Sequence, residues 1–189
     1  MKNYLLIVLA MTTVSLQAAV ADTASLNGQL WQELNKSYTS YYAKEKLPDN
    51  TDKIKDLVER GADVNFRNPF VVTSGWQGVY TPEKGETPLS IAVTIENVPL
   101  VEFLLNKKAN PNLTDLVFET PPLFNTIIGD KPDQPKMVEL LLRHGARVNM
   151  KDRYGTTPLD VLKMYLFADR PISQGQQRII DMLQAHGAR

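Results

Sequence analysis

The sequence predicts an all-α repeat protein, a solenoid of about four helix-turn-helix units, and two recurring phrases carry that prediction. The first phrase is an apolar helix end running into Gly-Ala and a polar exit. It reads Leu57-Val58-Glu59-Arg60-Gly61-Ala62-Asp63-Val64-Asn65, then Leu104-Leu105-Asn106-Lys107-Lys108-Ala109-Asn110-Pro111-Asn112, then Leu141-Leu142-Arg143-His144-Gly145-Ala146-Arg147-Val148-Asn149, and last Leu183-Gln184-Ala185-His186-Gly187-Ala188-Arg189. The second phrase interleaves with it: Thr87-Pro88-Leu89-Ser90-Ile91-Ala92, Pro121-Pro122-Leu123-Phe124 and Thr157-Pro158-Leu159-Asp160-Val161-Leu162.

Each phrase has a local physical reading. Thr caps a helix, Pro takes the first helical position where its missing N–H costs nothing, and Leu opens the buried face. Gly61, Gly145 and Gly187 end a helix in the left-handed conformation that glycine enters freely. Lys108 stands where the second copy would have Gly, which predicts a looser exit there.

In its marker for a first-helix start and in its period, the chain resembles the ankyrin-repeat family, in which a finger precedes two antiparallel helices in each unit. Pro88 to Pro122 is 34 residues and Pro122 to Pro158 is 36. The departures can be located. From Thr87 to Ala109 is 22 residues, from Pro121 to Ala146 is 25, and from Thr157 to Ala188 is 31, so the turn between paired helices lengthens along the chain. Ala62 to Thr87 is 25 residues against 11 from Ala146 to Thr157, so one finger, about residues 66–86, is extended. The fingers are expected to be β-hairpins, with this one an extended hairpin.

Residues 1–21 read as a secretory signal peptide: Lys2 precedes an apolar run, and Ala19-Val20-Ala21 supplies small residues before Asp22. Cleavage after Ala21 would leave no stable membrane anchor and would send the chain to the bacterial periplasm. The absence of cysteine leaves nothing to acylate and no disulfide, so packing alone must hold the domain. Residues 22–189 are then one domain: a capping repeat at 22–65, a second repeat with the long finger at 66–112, a third at 113–149 and a C-terminal one at 150–189. The capping repeat is read from periodicity, with Leu26, Leu30, Leu34 and Tyr38 on one stripe and Ile54, Leu57 and Val58 on another. At the other end, a helix over about 174–185 turns Arg178, Asp181 and Gln184 outward.

Composition excludes several function classes. Lysine and arginine number 21 against 21 aspartates and glutamates, so the charges balance and no basic stripe points to nucleic acid. There is no His-Glu-x-x-His, no Gly-x-Ser-x-Gly and no phosphate loop. The only histidines, His144 and His186, occupy one place in two repeats, just before Gly-Ala. That placement suits a helix C-terminus, which favours positive charge. Asp63, Asn65, Asn110, Asn112 and Asn149 read as turn-formers bonding nearby backbone. Neither catalytic residues, nor cofactor, nor metal is expected.

The resemblance implies binding through finger tips and first helices. Aromatic and arginine side chains dominate such interfaces. Phe70, Trp76 and Tyr80 lie in the long finger, Leu116 and Phe118 in the next, and Arg153 and Tyr154 in the last. Ile95, Met164 and Tyr165, with Thr94 and Ile128, would line the first-helix side. The long finger either presents Trp76 or folds back on the array, and the sequence leaves both open. These readings imply a monomeric, non-catalytic protein-binding module. Its partner class would be a secreted effector or toxin, which makes it an inhibitor or immunity protein. An accessory factor in envelope or oxidative stress defence and a self-associating scaffold are the alternatives.

Overall fold

The computed structural model describes residues 25–68, 85–127, 131–166 and 172–189. The predicted signal peptide and the body of the long finger, with Phe70, Trp76 and Tyr80, lie outside the described residues, as does Ile128. The helices are α1 (Leu26–Tyr42), α2 (Thr51–Glu59), α3 (Pro88–Thr94), α4 (Val98–Asn106), α5 (Pro122–Asn125), α6 (Gln134–Arg143), α7 (Pro158–Leu166) and α8 (Gln174–Ala185). They form two layers. The odd-numbered helices stack in order along one layer and the even-numbered ones along the other, so each helix meets the equivalent helix of the next unit. One continuous apolar core runs between the layers, from Leu30 and Leu34 through Leu89, Leu100, Leu104, Leu123 and Leu141 to Leu162 and Leu183.

Helix starts follow the local chemistry predicted for them. Thr87 accepts from the Ser90 N–H at 3.2 Å while Ser90 Oγ accepts from the Thr87 N–H at 2.7 Å, a reciprocal cap with Pro88 just inside. Asp160 plays the serine's part in α7: its carboxylate accepts from the Thr157 N–H at 3.0 Å and the Thr157 hydroxyl at 2.6 Å. Those bonds hold Asp160 below the usual carboxylate range. Ser173 and Gln176 repeat the device at α8. Pro121 has no side chain to offer α5, and that helix is only 4 residues long.

Exits are more uniform than the sequence suggests. Gly61, Gly145 and Gly187 all have positive φ, and Lys108 joins them at φ 68. The N–H of Ala109 reaches the Leu104 carbonyl at 2.9 Å, as Ala62 reaches Leu57 and Ala146 reaches Leu141. The expectation of a looser exit at Lys108 is therefore corrected. The closing hydrogen bond dictates the backbone, and the lysine adopts a conformation that costs a non-glycine residue roughly 1–2 kcal/mol.

The asparagines bond farther than expected. The Asn65 side-chain Oδ1 accepts from the Asn110 N–H at 2.8 Å, Asn112 Oδ1 from Arg147 at 2.8 Å and Asn149 Oδ1 from Arg189 at 3.1 Å. In each case the donor follows Gly-Ala or Lys-Ala of the next unit. Asn27 of α1 begins the series by accepting from Asp63 at 2.8 Å. Asn112 and Asn149 also donate to the Gly145 and Gly187 carbonyls. Only Asp63 and Asn110 form the local two-residue turns predicted for the whole group.

The first unit holds a buried polar knot. Glu33, nearly inaccessible, accepts from Lys53 at 2.7 Å, Lys36 at 2.9 Å and Asn50 at 3.1 Å. Asn50 in turn accepts from the Ser37 hydroxyl at 2.9 Å and donates to the Glu33 carbonyl. Burial disfavours the Glu33 charge, but the bonds from Lys53, Lys36 and Asn50 outweigh it and lower the carboxyl to about 2.

Candidate protein-binding surface

The finger loops and the first-helix layer carry most of the sequence-predicted contact residues. Among the described residues no strand is present, and the two fully described fingers are loops built on carboxylates. Buried Asp115 accepts from the N–H groups of Val117 at 2.8 Å, Phe118 at 2.6 Å and Thr120 at 2.9 Å, and also from the Thr120 hydroxyl. One side chain thus satisfies three backbone donors that a strand partner would otherwise take. Glu119 enters positive φ to close the loop. Asp152 does the same work in the last finger, accepting from Tyr154 at 2.9 Å and Thr156 at 2.8 Å, with Gly155 at positive φ.

These loops turn large apolar side chains toward solvent. Leu116 is 53% exposed, Phe118 39%, Tyr154 74% and, on α7, Met164 67%. Arg153 is exposed beside Tyr154. Adjacent fingers are joined. The Arg153 N–H donates to the Phe118 carbonyl at 2.9 Å, and the Arg67 guanidinium donates to the Thr114 carbonyl at 2.8 Å. The base of the long finger is closed by two bonds: the Asn68 N–H to the Glu86 carbonyl and the Gly85 N–H to the Asn68 carbonyl. Gly85 sits so close to Leu116 that an added Cβ would lie 2.5 Å from the leucine Cγ.

Ile95 is a correction. It is 3% exposed and belongs to the core, because α3 ends at Thr94 and the turn into Glu96, at positive φ, points Ile95 inward. Thr94 is half-buried and accepts from Asn125 at 3.2 Å. Tyr165 falls in α7, with its side chain outside the described residues.

At the far end of the first helices, Tyr41, Tyr42, Thr94, Asn125 and Lys131 line a depression of about 180 Å³. Tyr41 donates to Glu96 at 2.6 Å, and the Lys131 ammonium binds both groups, tying three units together. Burial would lower Lys131, but its bonds to Glu96 and Tyr41 raise it instead. Burial, followed by the bond to Glu96, raises Tyr41. A wider depression of about 410 Å³ lies between Asn149, Lys151, Gly155, Thr157, Asp160 and Arg189. His144 and His186 occupy C-cap positions of α6 and α8. Among the described residues no cluster of acids and histidines could hold a metal ion, and no helix is long and apolar enough to cross a membrane.

Asp115 and Asp152 escaped the sequence reading. Asp152-Arg153-Tyr154-Gly155 carried a turn signal in its Asp and Gly, whereas Asp115 had no glycine after it to mark the loop.

Comparison with known proteins agrees with this architecture. The family model for the ankyrin repeat matches residues 84–116, which run from the start of the α3 cap through α4 to Leu116. The chain is 32% identical to FPV031 of Fowlpox virus (strain NVSL), described as an ankyrin repeat protein, over 60% of this chain and 29% of that one. It is 28% identical to YahD of Escherichia coli (strain K12), described likewise, over 71% of this chain and 73% of the other. Human ankyrin repeat and SOCS box protein 6 matches at 30% identity over 54% of this chain and 21% of its own length. The chain thus spans less than a third of the viral and human relatives. Residues 84–116 match an ankyrin repeat, and the chain is similar to ankyrin-repeat proteins beyond that segment. Ankyrin repeats indicate a protein–protein interaction module.

Proposed function

We propose that this protein is a non-catalytic binding module that grips one protein partner through its finger tips and first-helix edge. In this reading it acts in the periplasm as an inhibitor or immunity protein against a secreted toxin or effector. The observation that carries it is the exposure of Leu116, Phe118 and Tyr154, on loops already braced by Asp115 and Asp152, and of Met164 on α7. Apolar side chains held out by a rigid frame lose little entropy on binding, which is what an interface anchor needs. The apolar run and small residues ahead of Asp22 support export.

A photo-crosslinking residue placed at Tyr154, and another at Glu102 on α4, tests the surface. The reading requires a single captured protein from the Tyr154 position alone, whose purified form then binds one-to-one and loses its own activity. Equal capture from both positions, or a bound protein whose activity is untouched, would refute it. Export is tested separately by the mass of the chain in a periplasmic fraction, expected to begin at Asp22.

A further inference from the structure

The last finger differs from its neighbour in charge. Between residues 147 and 163 stand four cations, Arg147, Lys151, Arg153 and Lys163, against two acids, Asp152 and Asp160, in a chain whose overall charge is zero. All four cations are exposed. Both acids are occupied, Asp152 by the N–H groups of Tyr154 and Thr156, Asp160 by Thr157. None of the four cations forms an ion pair among the described residues, whereas Lys53, Arg60, Lys107, Lys131 and Arg178 each do. Lys151 also lines the 410 Å³ depression beside Thr157 and Asp160. Arg189 lines it too. The finger before it, residues 113–120, contains Asp115 and Glu119 and no lysine or arginine.

From this we infer that the fourth unit's finger receives an acidic segment of the protein partner, with Tyr154 meeting an apolar side chain inside that segment. The inference rests on the reading above and narrows its partner class. Exposed ion pairs contribute little each, so Lys151, Arg153 and Lys163 act by steering and selecting while Tyr154 supplies buried area. A nucleic acid fits less well. Its repeated phosphates need a basic stripe running across units, and the positive charge here stops at the border with the Phe118 finger.

The test uses the full chain and fluorescein-labelled peptides with one central tryptophan in glutamate, glutamine or lysine hosts. The glutamate host should bind at least about tenfold more tightly than the glutamine host, and the difference should shrink as salt rises. Lys151→Glu with Arg153→Glu should cost about tenfold, Lys163→Glu a few-fold, while Lys44→Glu with Lys46→Glu, the same charge change at the other end, should shift binding less than about twofold. Thermal melts of each variant confirm that it folds. Equal binding of the glutamate and glutamine hosts, no binding of either, equal losses in both charge-reversal pairs, or tighter binding of a poly-dT strand would each overturn the inference. The crosslinking result at Tyr154 would stand or fall independently of any of these.

Discussion

The Arg153 N–H and the Phe118 carbonyl meet at 2.9 Å, joining the tips of two fingers whose loops are each wound around an aspartate. The spacing of the exposed side chains is therefore fixed by backbone, not by the side chains themselves.

Asp115 is the main brace of that arrangement. Asp115→Ala strands three N–H groups and should destabilise the protein by about 2 kcal/mol. Urea unfolding measures the loss. Hydrogen exchange should show the Val117, Phe118 and Thr120 amides opening while the α6 amides stay protected, and unchanged exchange at those three would refute the bracing role.

Lys108 and Gly61 form a matched pair. Lys108→Gly should stabilise by about 0.5–1 kcal/mol, since it relieves the left-handed strain but adds freedom to the unfolded chain. Gly61→Ala should destabilise by about 1–2 kcal/mol although nothing stands within 4 Å of the added Cβ, because φ is 108 there. Shifts of the urea midpoint in opposite directions are the expected result.

Glu33 sets an acid limit. Its folded carboxyl, lowered to about 2, lies below the ordinary value of 4.5, so its contribution is present above about pH 5 and drains away as pH falls toward 2. The difference corresponds to about 3 kcal/mol. Glu33→Gln should be clearly less stable than the natural chain at pH 7 and nearly equal to it at about pH 2. A gap that is constant with pH would mean that the knot depends on shape and not on charge.

Asn112 bonds the next unit twice, accepting from Arg147 and donating to Gly145. Its replacement by alanine should cost about 1–2 kcal/mol, against about 1 kcal/mol or less for Asn27→Ala, which loses a single exposed bond. Equal effects in urea titrations would argue against a role in joining units.

The starts of α3 and α7 were legible because Thr, Pro and Leu spell cap, first turn and buried face within three residues. The α8 span was legible for a similar reason, its stripe being bounded by Ser173 and the final Gly-Ala. What failed depended on hydrogen bonds and helix ends that no single residue's preference announces. Lys108 takes a glycine's conformation because Leu104 and Asn65 fix the backbone around it. Ile95 looked like surface because the family pattern does not say where α3 stops. In the second finger the family's β-hairpin was expected, but Asp115 takes the Val117, Phe118 and Thr120 donors. Leu116, Phe118, Arg153 and Tyr154 were singled out as apolar or cationic residues for which a turn has no structural need, and Met164 from the resemblance; all five are exposed.

The asparagine series carries a practical corollary for building with this protein. Every joint uses the same side-chain oxygen on one unit and the same peptide hydrogen on the following one, irrespective of the sequence on either side. In a spliced copy of residues 113–149 inserted after Asn149, both halves of this hydrogen bond would be present, leaving the packed helix faces as the part of the joint that needs redesign.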